Sequence, residues 1–142
     1  MEILKAEKFE FNYQVQEKDL DVFGHVNNAN YLNYYEMARW DFITKNSFGL
    51  DLIMKERKGP VLLGVDLQFR RELKNRDQIV ITSQAEKIDS RKFFHLYQEM
   101  IRVEDQKLAS KATFTVAYFD LNKRKMLAPD EKWLKACGIT LK

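Results

Sequence analysis

The run from Asp19 to Tyr31 constrains this chain more than any other stretch, because it crowds a carboxylate, a glycine, a histidine and three asparagines between a strand pattern and a helix pattern. Upstream, Phe11, Tyr13 and Val15 alternate with Asn12, Gln14 and Gln16, the period-two pattern of a half-buried strand. Downstream, Tyr31, Tyr35, Ala38 and Phe42 recur at helical spacing. The polar run therefore delivers the chain to a helix N-terminus, where unpaired backbone N–H groups and the positive end of the helix dipole gather. A substrate carbonyl oxygen that turns anionic under attack would be stabilised there, with Asp21 a few residues away as base or nucleophile.

The remaining pattern places this junction in an α+β chain. The spacing predicts a long helix from about Asn28 to Asn46, then Gly49 and a charged loop, Lys55 to Lys58, leading to Gly59 and Pro60. Leu63, Val65, Leu67 and Phe69 alternate as a strand. The charged turn Lys74 to Asp77 then leads into Ile79 and Ile81, which reads as a hairpin. Turns at Asp89 to Lys92 and Glu104 to Lys107 separate two further strands, Phe94 to Met100 and Leu108 to Tyr118, so four strands in a row make a meander. Pro129 and Asp130 begin a short helix that Gly138 ends. One antiparallel sheet packed on one long helix is the expected architecture. That helix is apolar almost all round, from Tyr31 to Ile43, so more than one of its faces must be covered, by curling of the sheet or by a partner subunit.

Several function classes drop out on inventory. A chain of 142 residues predicts a single domain over 1–142 that buries roughly two-thirds of its extended surface. With 45% hydrophobic and 32% charged residues it reads as globular and soluble rather than disordered. The N-terminus has acidic residues and no apolar core of a signal peptide. No later apolar run is long enough to span a bilayer, so a cytoplasmic protein without a membrane span is expected. Cys137 is the single cysteine, which excludes an intramolecular disulfide and reads as a spare thiol. A net charge of +3 from dispersed residues is too small to imply nucleic acid as a partner. Two His and one Cys at unrelated positions form no metal-ligand set, and no phosphate-binding Gly-rich loop, Gly-x-Ser-x-Gly elbow or Cys-x-x-Cys is present. No metal or redox cofactor is expected.

With Asp21, Gly24, His25, Val26, Asn27, Asn28 and Tyr31 in place, the run resembles the Asp-x-x-Gly-His-Val-Asn-Asn-x-x-Tyr signature of hotdog-fold acyl-CoA thioesterases of the 4-hydroxybenzoyl-CoA thioesterase type. The order of elements fits that fold over nearly the whole chain. The resemblance implies a single hotdog domain, an antiparallel sheet wrapped around one long helix, that hydrolyses a CoA thioester to a carboxylic acid and free CoA. A similar run occurs in acyl-ACP thioesterases, whose proposed catalytic residues include an Asn at the position of Phe23 here. That departure favours the simpler, Asp-centred chemistry. A non-hydrolytic acyl-CoA-binding or structural module of the same fold is the rival, in which Asp21 is only a turn former or cap.

The residues expected to carry the chemistry follow from both arguments. A thioester is already electrophilic, so the carboxylate of Asp21 could activate water or attack the acyl carbon directly. By its match to the family, Asn28 supplies a backbone N–H as oxyanion donor; as a side chain it reads as an ordinary N-cap. His25 could assist proton transfer, although orienting the loop backbone is the preferred role. Gly24 suits positive φ or close approach of the backbone to a ligand. Tyr31 could line an acyl pocket, with Tyr34 and Tyr35, although an aromatic run at this spacing reads first as core. Ser90, Arg91 and Lys92 fall where related thioesterases place basic residues against coenzyme A phosphates. The resemblance also implies a homodimer or homotetramer with the active site at the subunit interface.

Overall fold

The computed structural model describes residues 2–89 and 93–142. In chain order it contains β1 (Ile3–Ala6), β2 (Lys8–Gln14), a 3-10 turn (Glu17–Asp19), α1 (Asn28–Lys45), α2 (Leu50–Glu56), β3 (Lys58–Phe69), β4 (Gln78–Ile88), β5 (Phe94–Arg102), β6 (Lys107–Asp120), β7 (Lys125–Leu127), α3 (Glu131–Ala136) and β8 (Ile139–Leu141). An antiparallel sheet runs β2-β4-β5-β6-β3, with β7 also on β6, while β1 and β8 form a separate pair.

The sheet wraps α1, as expected of this fold. Rings from strands far apart in the sheet meet the same helix: Phe9 of β2 stacks on Phe42 at 4.6 Å, and Phe114 of β6 meets Tyr35 edge-on at 5.8 Å. Only a curved sheet can bring both to one helix. Tyr31, Tyr34, Tyr35, Ala38, Phe42 and Ile43 are all buried, so the aromatic run is core. Burial of side chains this large is the main favourable term holding the helix in its sheet.

Three expectations about local structure need correction. The segment from Gly49 is not a plain loop, since Leu50–Glu56 forms α2, held by the apolar contact of Ile53 and ended by Arg57 at φ 58°. The pairs β1 with β8 and β7 with β6 carried too few residues to stand out as patterns. Most consequential, β3 and β4 are not a hairpin. β3 pairs with β6 at one edge of the sheet while β4 lies beside β2, so residues 70–77 cross from one side to the other. The crossover is tied down along its way: Arg70 and Arg71 donate their backbone N–H groups to the Ala109 carbonyl at 2.8 and 3.0 Å, Leu73 is fully buried, and the Val15 N–H reaches the Asp77 carbonyl. Its path takes it past the N-terminus of α1.

The short terminal helix matches expectation, with Asp130 accepting from the Trp133 N–H at 2.8 Å and Gly138 following at φ +74°. A Cβ at Gly138 would lie 2.7 Å from the Phe9 ring, so no other residue fits there.

Candidate active site

The junction between β2 and α1 is held by two carboxylates with different tasks. Asp19 is buried; its Oδ2 accepts from the Tyr34 hydroxyl at 2.7 Å and, more weakly, from Tyr13 at 3.4 Å, while its carbonyl accepts from the Asn27 N–H and the Asn30 side chain. Burial and this carboxylate push the Tyr34 hydroxyl well above its ordinary pKa, which keeps it a donor. Asp21 is instead partly exposed. Its Oδ1 accepts from the backbone N–H groups of Phe23 at 2.8 Å and His25 at 3.3 Å, folding residues 21–25 into a loop, and its backbone N–H donates to the His25 carbonyl at 2.7 Å. Oδ2 has no hydrogen-bond partner among the described residues. The carboxylate is thus a turn former through one oxygen and open through the other.

Gly24 sits at φ +81°, and a Cβ there would meet nothing within 4 Å. Its positive φ is reason enough for a glycine there. The N-cap of α1 is Asn27, whose Oδ1 accepts from the Ala29 N–H at 3.0 Å, so the expected cap at Asn28 shifts by one residue. Asn28 becomes the first helical residue, with no partner for its backbone N–H among the described residues. An unpaired donor at a helix N-terminus is what stabilises a developing oxyanion.

The crossover brings the rest. Val26 donates to the Leu73 carbonyl at 2.8 Å, His25 bridges to Lys74, and the His25 Nε2 lies 3.0 Å from an Oε2 of Glu72. Tyr31 donates its hydroxyl to the Arg71 carbonyl at 3.3 Å and meets Phe69 edge-on at 5.0 Å; burial pushes its pKa up to about 12. Asp21, His25, Asn28 and Tyr31 consequently line one pocket of about 270 Å³, floored by Phe69, Arg70, Arg71 and Glu72. Sequence reasoning missed that floor. No local signal could have found Glu72, a charged residue in a charged segment, because its place depends on β3 lying at the far edge of the sheet.

Not every candidate converges on this pocket. Ser90, Arg91 and Lys92 lie outside the described residues. Among the described residues no group of His, Cys, Asp or Glu could hold a metal ion, and no helix is long and apolar enough to cross a membrane. Cys137 is fully buried, and burial raises its thiol pKa.

Comparison with known proteins bears on the fold and the family. The long-chain acyl-CoA thioesterase FadM of Escherichia coli is 31% identical over 110 residues, 77% of this chain and 81% of that protein. The probable thioesterase YbaW of Escherichia coli superposes with a TM-score of 0.77 at 28% identity, over 89% of this chain and 94% of that one. SAV2348 of Staphylococcus aureus, solved in complex with CoA, shares the fold with a TM-score of 0.83 at 20% identity, over 92% of this chain and 82% of that one. Because the model of the Thioesterase-like superfamily matches residues 15–136, from the end of β2 through α3, the chain belongs to that superfamily and is a hotdog-fold thioester hydrolase.

Proposed function

We propose that this chain, acting over residues 1–142 as one hotdog domain, hydrolyses an acyl-CoA thioester to a carboxylic acid and free CoA, with Asp21 as base or nucleophile. The observation that carries the reading is the pairing of a free carboxylate oxygen on Asp21 with an unpartnered N–H on Asn28 in one pocket. The thioester carbonyl oxygen accepts from the Asn28 N–H, which stabilises the negative charge that develops on it. In one route the Asp21 Oδ2 takes a proton from water as the water oxygen bonds to the acyl carbon, the C–S bond breaks, and the proton passes to the departing CoA sulfur. In the other, Oδ2 itself bonds to the acyl carbon with loss of CoA thiolate, and water opens the resulting anhydride. His25, held by Glu72 and by the loop backbone, positions the loop that carries Asp21. No metal takes part in either route.

CoA as the carrier follows FadM, whose substrates are long-chain acyl-CoA esters. Room for an acyl chain lies along α1, where β3 runs antiparallel to the helix: Phe69 faces Tyr31 at its start, and Val65, Leu62 and Pro60 follow beside Leu32, Arg39 and Trp40.

The active assembly is a homodimer or a dimer of dimers. The outer edge of β3 is unpaired among the described residues. Leu63, Val65 and Phe69 there are 46–49% exposed, and Leu32 and Trp40 of α1 are exposed beside them. A long apolar strand edge left open invites pairing with another copy.

A thiol-release assay over a panel of CoA thioesters, run on wild type and Asp21→Asn, tests the chemistry. Turnover that vanishes in the variant supports it; no turnover of any CoA ester, or equal turnover in both, sinks it.

A further inference from the structure

Past the midpoint of α1 lies a second pocket, of about 180 Å³, that the chemistry above does not use. Close-packed interiors leave few voids larger than a water molecule, and each costs stability. A cavity of this size therefore needs a reason. Its walls are mostly apolar: Trp40 and Ile43 of α1, Leu62 of β3, Leu96 of β5 and Val116 of β6. Its two charged residues, Glu36 and Arg39, are also the ones it shares, with Leu62, with the neighbouring pocket of Leu32, Leu63 and Val65. The Arg39 guanidinium stands 4.3 Å over the Phe114 ring, donates to the Gln98 Oε1 at 3.1 Å and has the Glu36 charge one turn earlier in support, so its needs are met within the protein.

The two ends of the pocket differ. Beside the open edge of β3 it is bounded by Leu62 and Trp40, 43% and 37% exposed. At the other end it runs into α3, where Trp133 is 2% exposed and Cys137 is fully buried, with the buried Phe94 of β5 next to them. That end is blind. It is also backed by packing, because the Trp133 ring sits among Phe48 at 5.0 Å, Tyr118 at 5.7 Å and Phe94 at 6.2 Å between centroids. A wall supported in this way cannot retreat before a ligand without breaking those contacts.

The distance from the reaction to the wall can be counted in carbons. Asn28 stands at the start of α1 and Glu36 is the first helical residue to line the blind pocket, a rise of about 12 Å. An extended alkyl chain advances about 1.3 Å per carbon, a little less than a C–C bond because it zigzags, so about nine carbons cover that run. An apolar cavity of about 150 Å³ takes the six carbons of benzene, and this one takes about as many. An aromatic acyl group would end near the first turn of α1 and leave the pocket unused.

We propose that α3 is the end stop of the acyl channel, with Trp133 and Cys137 as specificity-determining residues, so that the site is matched to an alkyl chain of about 14 to 16 carbons. The proposal rests on the acyl-CoA reading for the identity of its ligand, and it deepens that reading by naming the substrate class and the element that measures it.

Two readouts test this. The first is kcat/KM for saturated acyl-CoA esters from octanoyl to eicosanoyl, each kept below its micelle-forming concentration. The values should climb by up to about fourfold per added methylene, the worth of burying one CH₂, as far as tetradecanoyl or hexadecanoyl. They should then drop by about tenfold or more at eicosanoyl, whose extra carbons meet a closed wall. Leu62→Trp fills the pocket from its exposed side and should move the optimum to shorter chains, so that the dodecanoyl ester overtakes the hexadecanoyl. Trp133→Leu lowers the stop and should raise eicosanoyl relative to hexadecanoyl. The second readout needs no turnover. Both tryptophans of the chain, Trp40 and Trp133, line this pocket, so intrinsic fluorescence reports its occupancy. Titration with saturated fatty acids should shift the emission with an affinity that peaks at tetradecanoate or hexadecanoate and falls at eicosanoate. An optimum at octanoyl, a series that stays level or rises to eicosanoyl, an optimum indifferent to Leu62→Trp, or a fluorescence series without a peak overturns the proposal. If no CoA ester is hydrolysed while the fatty acids keep their peak, the thioesterase reading falls and the end stop stands. The wild-type series and Leu62→Trp decide the matter even if Trp133→Leu fails to fold.

Discussion

The two pockets along α1 are made of different material. At the N-terminus the pocket is polar, and most of its hydrogen bonds join residues close in sequence: Asp21 with Phe23, Gly24 and His25, and Asn27 with Ala29. Past the midpoint the pocket is apolar, and its walls come from α1, β3, β5, β6 and α3. The first gathers a carboxylate, an imidazole and a free helix N–H, groups that can act on a bond; the second is mostly hydrocarbon. The free N–H groups lie at the end of the helix and not along its side.

The sharpest way to break this division is Asp21→Asn. The amide oxygen can still accept from the Phe23 and His25 N–H groups, so the loop should keep its shape and the melting temperature should barely move. Turnover should drop by roughly a hundredfold or more, because the group lost is the proposed base or nucleophile. A folded variant with near-normal kcat would place the reaction elsewhere.

A second test asks whether one copy suffices. Leu63→Glu combined with Val65→Glu puts like charges on the open edge of β3, away from the polar pocket. Light scattering at micromolar concentration should then report monomer where the wild type reports dimer or tetramer, and activity should be lost in parallel even on acetyl-CoA, whose acyl group is too short to reach these residues. A stable, fully active monomer would overturn the interface and the idea that the site is shared.

Glu72→Gln removes the charge beside His25 Nε2 but leaves an acceptor 3.0 Å away. If His25 only positions the loop, kcat should fall by no more than several-fold and KM should hardly change, since both pocket residues are partly exposed and such pairs are individually weak. A loss as large as that of Asp21→Asn would make the histidine a proton carrier.

The same contrast explains what the sequence disclosed. Asp21, Gly24, His25 and Asn28 were legible because a loop closed by its own backbone needs particular residue types at short spacing. The helix from Asn28 and the terminal helix to Ala136 were legible for a similar reason, in periodicity and capping. Glu72 was not. It takes its place only after β3 is set against β6 instead of β4, and nothing in the alternation of Leu63, Val65, Leu67 and Phe69 says which strand will be its neighbour. The exposure of Leu63, Val65 and Phe69 in that row is also a surprise by pattern alone. α2 escaped notice because a seven-residue helix with one buried side chain, Ile53, leaves almost no periodic trace.

The smallest effect concerns Asp19, the carboxylate that does not face the pocket. Tyr34→Phe removes its 2.7 Å donor and leaves only the 3.4 Å contact from Tyr13, so a buried acceptor becomes poorly satisfied. The cost should be about 1–3 kcal/mol, which in a domain of this size lowers the melting temperature by roughly 2–4 °C per kcal/mol. Activity on CoA esters at a temperature where the variant is folded should stay close to wild type, because neither Tyr34 nor Asp19 lines the polar pocket. Raising the pH sharpens the reading. Burial, the Asp19 hydrogen bond and its charge hold the folded Tyr34 pKa well above its ordinary value of 10.0. The unfolded chain therefore releases that proton first, and stability tied to Tyr34 is present below pH 10 and lost as pH rises above it. Calorimetric melts at pH 7 and pH 10.5 should show the gap between wild type and Tyr34→Phe narrowing at the higher pH. A gap that widens, or a variant as stable as wild type at pH 7, would mean that the Asp19 carboxylate is satisfied by other means and that the junction does not depend on it.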